Sequence, residues 1–300
     1  MIPQKWAEEQ IVISVDDLIK GSLRLISPPQ ILLKLNRILD DPRCSAAMLA
    51  RIVATDPGLT ARLLRLANSP FYGFPSRIDS IERALTVIGM NALRNLVLAT
   101  SVPETFGRLP LGPMEDFWHH SVYCGLLSRA LAEHCRLSDP ETLFVAGLLH
   151  DVGQLIMFAK LPEMAREAYA RADDAGLPLD ALERAIIGID HAQVGGELLR
   201  RWNLPMSLWE PVACHHRPLE ASQTRIAAAI IHVADILAHE LPLISGEEEA
   251  ALIELHAHLM EQIPSALLDP LRLDLACLGR LRGELSRQED NLVDILLQSH

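Results

Sequence analysis

The chain has 300 residues, with 39 acidic against 27 basic side chains, a formal net charge of −12, and 49% hydrophobic but only 4% aromatic content. That acidity removes the phosphate-neutralising attraction behind general nucleic-acid binding. The five scattered cysteines form no CxxC pair, which argues against a disulfide framework or a cysteine-based zinc site and for a reducing compartment.

Leu, Ala and Ile dominate the apolar set, a balance that favours helix over sheet. The first residues, MIPQKWAEEQ, lack the basic start and apolar core of a secretory leader. No apolar run reads as a membrane span of about 18 residues, so no span is expected and the protein is read as cytoplasmic. Pro28-Pro29 introduces a first helix, Gln30 to Leu39, whose Ile31, Leu32, Leu35, Ile38 and Leu39 recur at helical spacing. Asp41-Pro42 stops it, and Ser45 can cap the next helix, toward Ala54. Asp56-Pro57 opens another, with Leu59, Leu63, Leu64 and Leu66 as its apolar stripe. Asn68-Ser69-Pro70 ends that helix, and Phe71 to Pro75 is a loop. Asp56, Asn68 and Ser69 read as ordinary cap and turn chemistry. Asp79 or Ser80 can cap a helix that stops at Gly89, and a further helix runs from Asn91 to about Val102.

Pro103, Gly107, Pro110, Gly112 and Pro113 then mark the best internal boundary. The expected division is a helical lobe at 1–110, a second helical lobe at 111–245 and a helical extension at 246–300. Beyond the boundary, helices are expected at 115–135, 139–150 continuing to 159, 162–175, 179–201, 206–216 and 223–240, with two or three more in the tail. No strand-like alternation of useful length appears. The expected fold is all-α and two-lobed.

The residues with chemistry lie in the second lobe. His150-Asp151 is embedded in an apolar run with Phe144, Val145, Leu148, Leu149 and Val152. Burying an unpaired carboxylate is costly unless it is paired or holds a metal. His120 shares a helical face with Cys124, Leu127 and Leu131, while its competitor His119 shares one with Tyr123 and Leu126. His191 lies with Ile187, Val194, Gly195 and Leu198, and Gly195-Gly196 leaves room for a close approach. His215-His216 ends an apolar helix, where successive side chains diverge by about 100°. They can point at different metals, or one can ligate while the other orients. Asp235 is a lone carboxylate among Val233, Ala234, Ile236 and Leu237. Each alone reads as a satisfied core histidine or a cap. Together they offer imidazoles and carboxylates suited to iron, manganese, nickel or zinc.

This order resembles the HD superfamily of metal-dependent phosphohydrolases. The resemblance implies that His120, His150, Asp151 and Asp235 hold a first metal. His191, His215 and His216 match the additional ligands of the cyclic-dinucleotide phosphodiesterase branch, with Asp151 and His216 in catalytic roles and His216 as ligand or proton carrier. The segments Asp56-Pro57-Gly58-Leu59-Thr60, Leu66-Ala67-Asn68-Ser69 and Ala84-Leu85-x-x-Ile88-Gly89 look like the HDOD family. That family is all-helical, bacterial and assigned to signal transduction, which implies a signalling protein partner, or a nucleotide or phosphoester ligand. Two departures weigh against full catalytic transfer. Arg217-Pro218-Leu219-Glu220 stands where the phosphodiesterase branch has Gly-Tyr-Pro, and Gln154 stands where it has a lysine.

Overall fold

The computed structural model describes residues 14–22, 29–39, 41, 43–106, 114–243 and 249–297. Residues 1–13, Pro28, Pro42 and the Pro/Gly run at 107–113 lie outside the described residues, as do Glu247 and Glu248 at the start of the tail. Helices form all the regular structure among those described. The first five are α1 (Val15–Ser22), α2 (Gln30–Leu39), α3 (Ala46–Val53), α4 (Pro57–Ala67) and α5 (Ile81–Phe106).

Their ends follow local side-chain chemistry. Ser45 Oγ accepts from Met48 N at 3.3 Å, Asp56 Oδ1 from Leu59 N at 2.9 Å, and Ser80 Oγ from Arg83 N at 3.2 Å. Each satisfies one of the amide groups a helix start leaves unpaired. Gly89 adopts φ 86°, so the helices expected on either side of it form one element with a break. The second part continues through Pro103 to Phe106, farther than expected. The loop after α4 is clamped by Asn68, which donates to Leu64 O and Ile78 O at 2.7 Å and accepts from Ile78 N at 2.8 Å. Ser69 Oγ donates to Leu66 O at 2.7 Å. These contacts give Asp56, Asn68 and Ser69 the cap and turn roles read from their sequence.

The remaining elements are α6 (Glu115–His134), α7 (Pro140–Leu148), α8 (Val152–Lys160), α9 (Pro162–Ala175), α10 (Leu179–Ile186), α11 (His191–Arg201), α12 (Met206–Cys214), α13 (Arg225–Glu240), α14 (Glu249–Gln262), α15 (Ser265–Leu271) and α16 (Leu275–Leu297). Two expectations are corrected. The helix expected through 139–159 breaks at Leu149–Asp151, where Leu149 (φ −106°, ψ 3°) and Asp151 (φ −96°, ψ 5°) leave the helical region. The helix expected through 179–201 breaks at Gly188, which adopts φ 93°. A new helix then starts on Asp190, whose side chain accepts from Gln193 N while Gln193 Oε1 accepts from Asp190 N. That reciprocal capping box is a strong start signal.

One cluster of buried apolar side chains runs from Leu32 and Leu63 through Phe144 and Trp202 to Leu278 and Leu296. The α6 and α7 helices pack together, with α13 on α6 and α12 on both α11 and α13. The α1 helix lies against α8 and α11, and α16 packs on α4, α5 and α6. The Phe71–Phe74 loop docks on α6 and α7. Arg129 of α6 donates to Phe71 O at 2.8 Å with its guanidinium 4.0 Å over the Phe71 ring, and Tyr72 Oη donates to Glu141 at 2.7 Å.

Two stretches, Ile81–Pro103 and Pro140–Lys160, have the length and hydropathy of a membrane span, which the sequence reading did not expect. Both are core elements: 56% and 83% of their apolar windows are buried in the fold. They are interrupted at Gly89 and at Leu149–Asp151.

Candidate metal centre

The break between α7 and α8 is what makes His150 and Asp151 neighbours in function. On a continuous helix their side chains would diverge by about 100°. In the turn, His150 Nδ1 donates to Gly147 O at 2.7 Å, which fixes the ring, and its Nε2 comes 3.3 Å from Asp151 Oδ2. From α6, His120 Nε2 reaches Asp235 Oδ1 at 3.1 Å and Asp151 Oδ2 at 4.0 Å. Asp235, on α13, has the same oxygen 3.5 Å from His150 Nε2.

The other oxygen of Asp151 faces a second group. Asp151 Oδ1 lies 3.1 Å from His191 Nε2 and 4.0 Å from His215 Nε2. His215 Nδ1 donates to Val212 O at 2.8 Å, so its Nε2 lone pair is turned inward. His216 Nε2 is 2.8 Å from His191 Nε2. His191 Nδ1 is held by Glu183 Oε2 at 2.6 Å, and the same oxygen accepts the His191 backbone N–H at 2.9 Å.

Two glycines permit the approach. A Cβ on Gly153, at the start of α8, would collide with the His191 carbonyl and come within 2.7 Å of Gly195 N. One on Gly196 of α11 would collide with Ala213 of α12. The room expected at Gly195-Gly196 is therefore filled by packing helices.

The electrostatics are those of a tightly shared cluster. Burial opposes the charged form of Asp151, Asp235, His150, His191, His215 and His216. Asp151 nevertheless stays far below the usual carboxylate range, because His150 and His191 stand beside it. Asp235 is lowered likewise by the adjacent imidazoles of His120, His150 and His239. Burial also opposes charge on His150 and His191, but their carboxylate neighbours, Asp151 for both and Glu183 for His191, raise them well above the usual imidazole range. Burial and the nearby His150 and His191 push His215 down to about 3. His216 is pushed well below its ordinary value by burial, His215 and His191.

All seven sequence-predicted residues, His120, His150, Asp151, His191, His215, His216 and Asp235, thus meet in one cluster. It contains three overlapping groups whose ligand atoms lie within 4.8 Å of one another: His120, His150 and Asp235; His150, Asp151 and His215; and His191, His215 and His216. The competitor His119 instead points toward Glu115, 3.9 Å away, on the outer side of α6. Arg217 donates to Asp190 Oδ2 at 2.9 Å, alongside Arg184 at 2.7 Å.

The fit to a metal rests on the nitrogens themselves. His120 Nε2, His150 Nε2 and His215 Nε2 are buried and make no hydrogen bond, although carboxylate oxygens stand 3.1–4.0 Å away. Buried polar atoms without partners are costly. Atoms spaced like this around shared carboxylates suit a cation that takes several lone pairs at once. The described His/Asp cluster could hold a metal ion.

The profile of the HDOD domain matches residues 25–218, about two thirds of the chain. This chain belongs to the HDOD family. A protein of Treponema pallidum is 24% identical over 192 residues, 63% of this HDOD chain but 37% of that protein, so the chain spans little more than a third of that relative. A crystal structure from Shewanella amazonensis, described as a candidate phosphohydrolase, is 23% identical with a TM-score of 0.75, covering 93% of this chain and 97% of that one. A candidate signal-transduction protein from Marinobacter aquaeolei is 20% identical with a TM-score of 0.66, covering 93% of this chain and 61% of the other. At these identities the structures establish that the HDOD chain shares their all-helical fold.

Sequence reasoning missed two residues around the cluster and a buried carboxylate elsewhere on α12. Glu183 sits eight positions before His191, across a helix break that was read as continuous helix. His239 donates Nδ1 to Asp235 O at 3.0 Å, and its ring centroid lies 4.1 Å from that of His120. Glu210 is buried on α12, where it accepts from the backbone and hydroxyls of Ser222 and Thr224 and from Gln223 N. Only the break itself carried a sequence signal, the Asp190-x-x-Gln193 capping pattern.

Proposed function

We propose that this HDOD protein is a cytoplasmic signalling module with a working centre for one or two divalent cations (iron, manganese, nickel or zinc). It acts through a protein partner or a bound nucleotide. The observation that carries this reading is the set of buried imidazole nitrogens left without hydrogen bonds around Asp151 and Asp235. His120, His150, Asp151 and Asp235 would hold one ion. His191, His215 and His216, with the other oxygen of Asp151, would hold the second.

A ligand with phosphate oxygens suits such a centre, because its negative charge complements cations held by largely neutral imidazoles. The side chains of His120 and Asp235 keep 16% and 15% of their surface, so the cluster is accessible on that side. Direct phosphate capture by the chain itself is weakly provided for. Gln154 carries no charge, and Arg217, the cation beside His216 in sequence, is engaged by Asp190. This favours binding and regulation over rapid turnover.

One observation keeps hydrolysis as a second reading. Asp151 presents one oxygen to each half of the cluster, an arrangement that suits paired ions on a single phosphoryl group. Ions held there would supply Lewis acidity toward a phosphoryl oxygen and acidify water. In that reading Asp151 ties the two halves together. His216, neutral in its buried position, holds a cation or takes up a proton at Nε2.

The test is the metal content of untagged protein purified without added metal, followed by a panel of nucleotides and cyclic dinucleotides in calorimetric and turnover assays. One to two equivalents of metal with nucleotide binding but no enzymatic turnover is the expected result. Turnover that Asp151→Ala abolishes without unfolding the chain selects hydrolysis. Protein that neither contains nor takes up metal overturns both readings.

A further inference from the structure

The two halves of the cluster are not equivalent in charge. The first surrounds its space with two imidazoles, His120 and His150, and two carboxylates, Asp235 and one oxygen of Asp151. The second has three imidazoles, His191, His215 and His216, and only the other oxygen of the same Asp151. A divalent cation in the second half would meet less compensating charge.

The imidazoles are also held differently. His150 and His215 each give their Nδ1 proton to a backbone carbonyl, Gly147 O and Val212 O, which orients a ring without adding charge. His191 gives its own to a carboxylate, Glu183 Oε2, at 2.6 Å. Glu183 is only 4% exposed, and His191 1%. Among the described residues, Glu183 pairs with His191 alone. It comes from α10, brought beside the start of α11 by the Gly188 break, and it also accepts the first amide of α11. A carboxylate at a helix start is favoured by the dipole, which makes this placement sustainable. Partners of this kind fix a ligand's tautomer and raise its basicity, and losing one typically weakens metal binding about 10–100-fold.

We propose that Glu183 is the positioning residue of the second half of the cluster: by orienting His191 and supplying the negative charge that half lacks, it decides whether a second divalent cation binds. This rests on the metal-centre reading above. The inference concerns the chain's loading state. With the Glu183 carboxylate in place the second ion binds firmly, and with it replaced that step weakens while the first is unchanged.

The experiment loads full-length wild type, Glu183→Gln and Glu183→Ala with Mn2+. Bound ions are counted by mass spectrometry, the steps are followed by calorimetric titration, and electron paramagnetic resonance is recorded on the loaded proteins. Gln keeps an acceptor oxygen for the His191 amide and ring, so it removes charge while keeping the cap; circular dichroism verifies the fold of each variant. Two ions in wild type are expected, with a spin-coupled spectrum. In Glu183→Gln the first step should be unchanged, the second weaker by about 10–100-fold, and the spectrum that of an isolated ion. A folded Glu183→Gln protein with an unchanged second step and a coupled spectrum overturns the assignment and leaves Glu183 as a helix cap. Wild type that saturates at one ion overturns the inference but not the metal centre. Wild type that takes up none overturns both.

Discussion

The loop after α4 and the turn after α7 use polar residues in opposite ways. At the first, Asn68 and Ser69 spend their hydrogen bonds on backbone groups of their own segment, at 2.7–2.8 Å. At the second, His150 spends one nitrogen on Gly147 O and leaves the other buried and unbonded, facing side chains from three other helices. Both segments are polar interruptions of apolar helices. A buried polar group with every partner in its own segment is architecture. One that is locally oriented and left unsatisfied toward a convergence point has a cost that a ligand can offset.

The strongest way to break this contrast is Asp151→Asn. Because Asp151 faces both halves of the cluster, the variant should lose both ions. The fall in metal affinity should exceed the roughly 10–100-fold typical of residues that only support a ligand. Metal counting on protein shown to be folded checks this. Retention of both ions would make Asp151 a structural partner of the histidines, and the two turns would then be alike.

Gly153→Ala should be the most destabilising single-methyl change. The new Cβ meets the backbone of His191 and Gly195, which cannot swing aside as a side-chain tip could. The expected loss is about 3 kcal/mol, at the upper end for overpacking, read from denaturant unfolding. Metal uptake should fall with it, because α8 and α11 must separate.

Glu210 sharpens the contrast from another side, being a buried carboxylate that is fully satisfied. Burial opposes its ionisation, but the hydrogen bonds from Ser222, Thr224 and Gln223 prevail and lower it from its ordinary 4.5 to about 2. A depressed folded-state value stabilises the protein above the unfolded value. The contribution is therefore complete above pH 4.5 and is lost as pH falls toward 2. At about 1.4 kcal/mol per unit, it amounts to about 3 kcal/mol. Unfolding measured from pH 6 down to pH 3 should show this slope in wild type and a shallower one in Glu210→Gln.

The smallest effect belongs to Asp56→Ala, which removes the cap on Leu59 N. It should cost about 1 kcal/mol in thermal or chemical unfolding and leave metal content unchanged. A change in metal binding would mean that α4 is coupled to the centre and that its polar residues are more than architecture.

What the sequence determined by itself was the part governed by short-range chemistry. The helical class, the caps at Ser45, Asp56 and Ser80 and the break at Gly89 depend on residues within about one turn of each other, and that is the range over which periodicity and capping operate. The order of the seven His and Asp residues was also legible, through their resemblance to a known pattern. Only the tertiary structure decided that the apolar face of His120 meets Asp151 and Asp235. It also decided that His150-Asp151 lies in a turn rather than on a helix, and that Glu183 stands behind His191. Those outcomes depend on how closely α8 meets α11 and α11 meets α12, and so on Gly153 and Gly196 lying opposite partners far along the chain. A helical period specifies which way a side chain faces from its own axis. It carries no distance to another axis, and a metal centre is made of such distances.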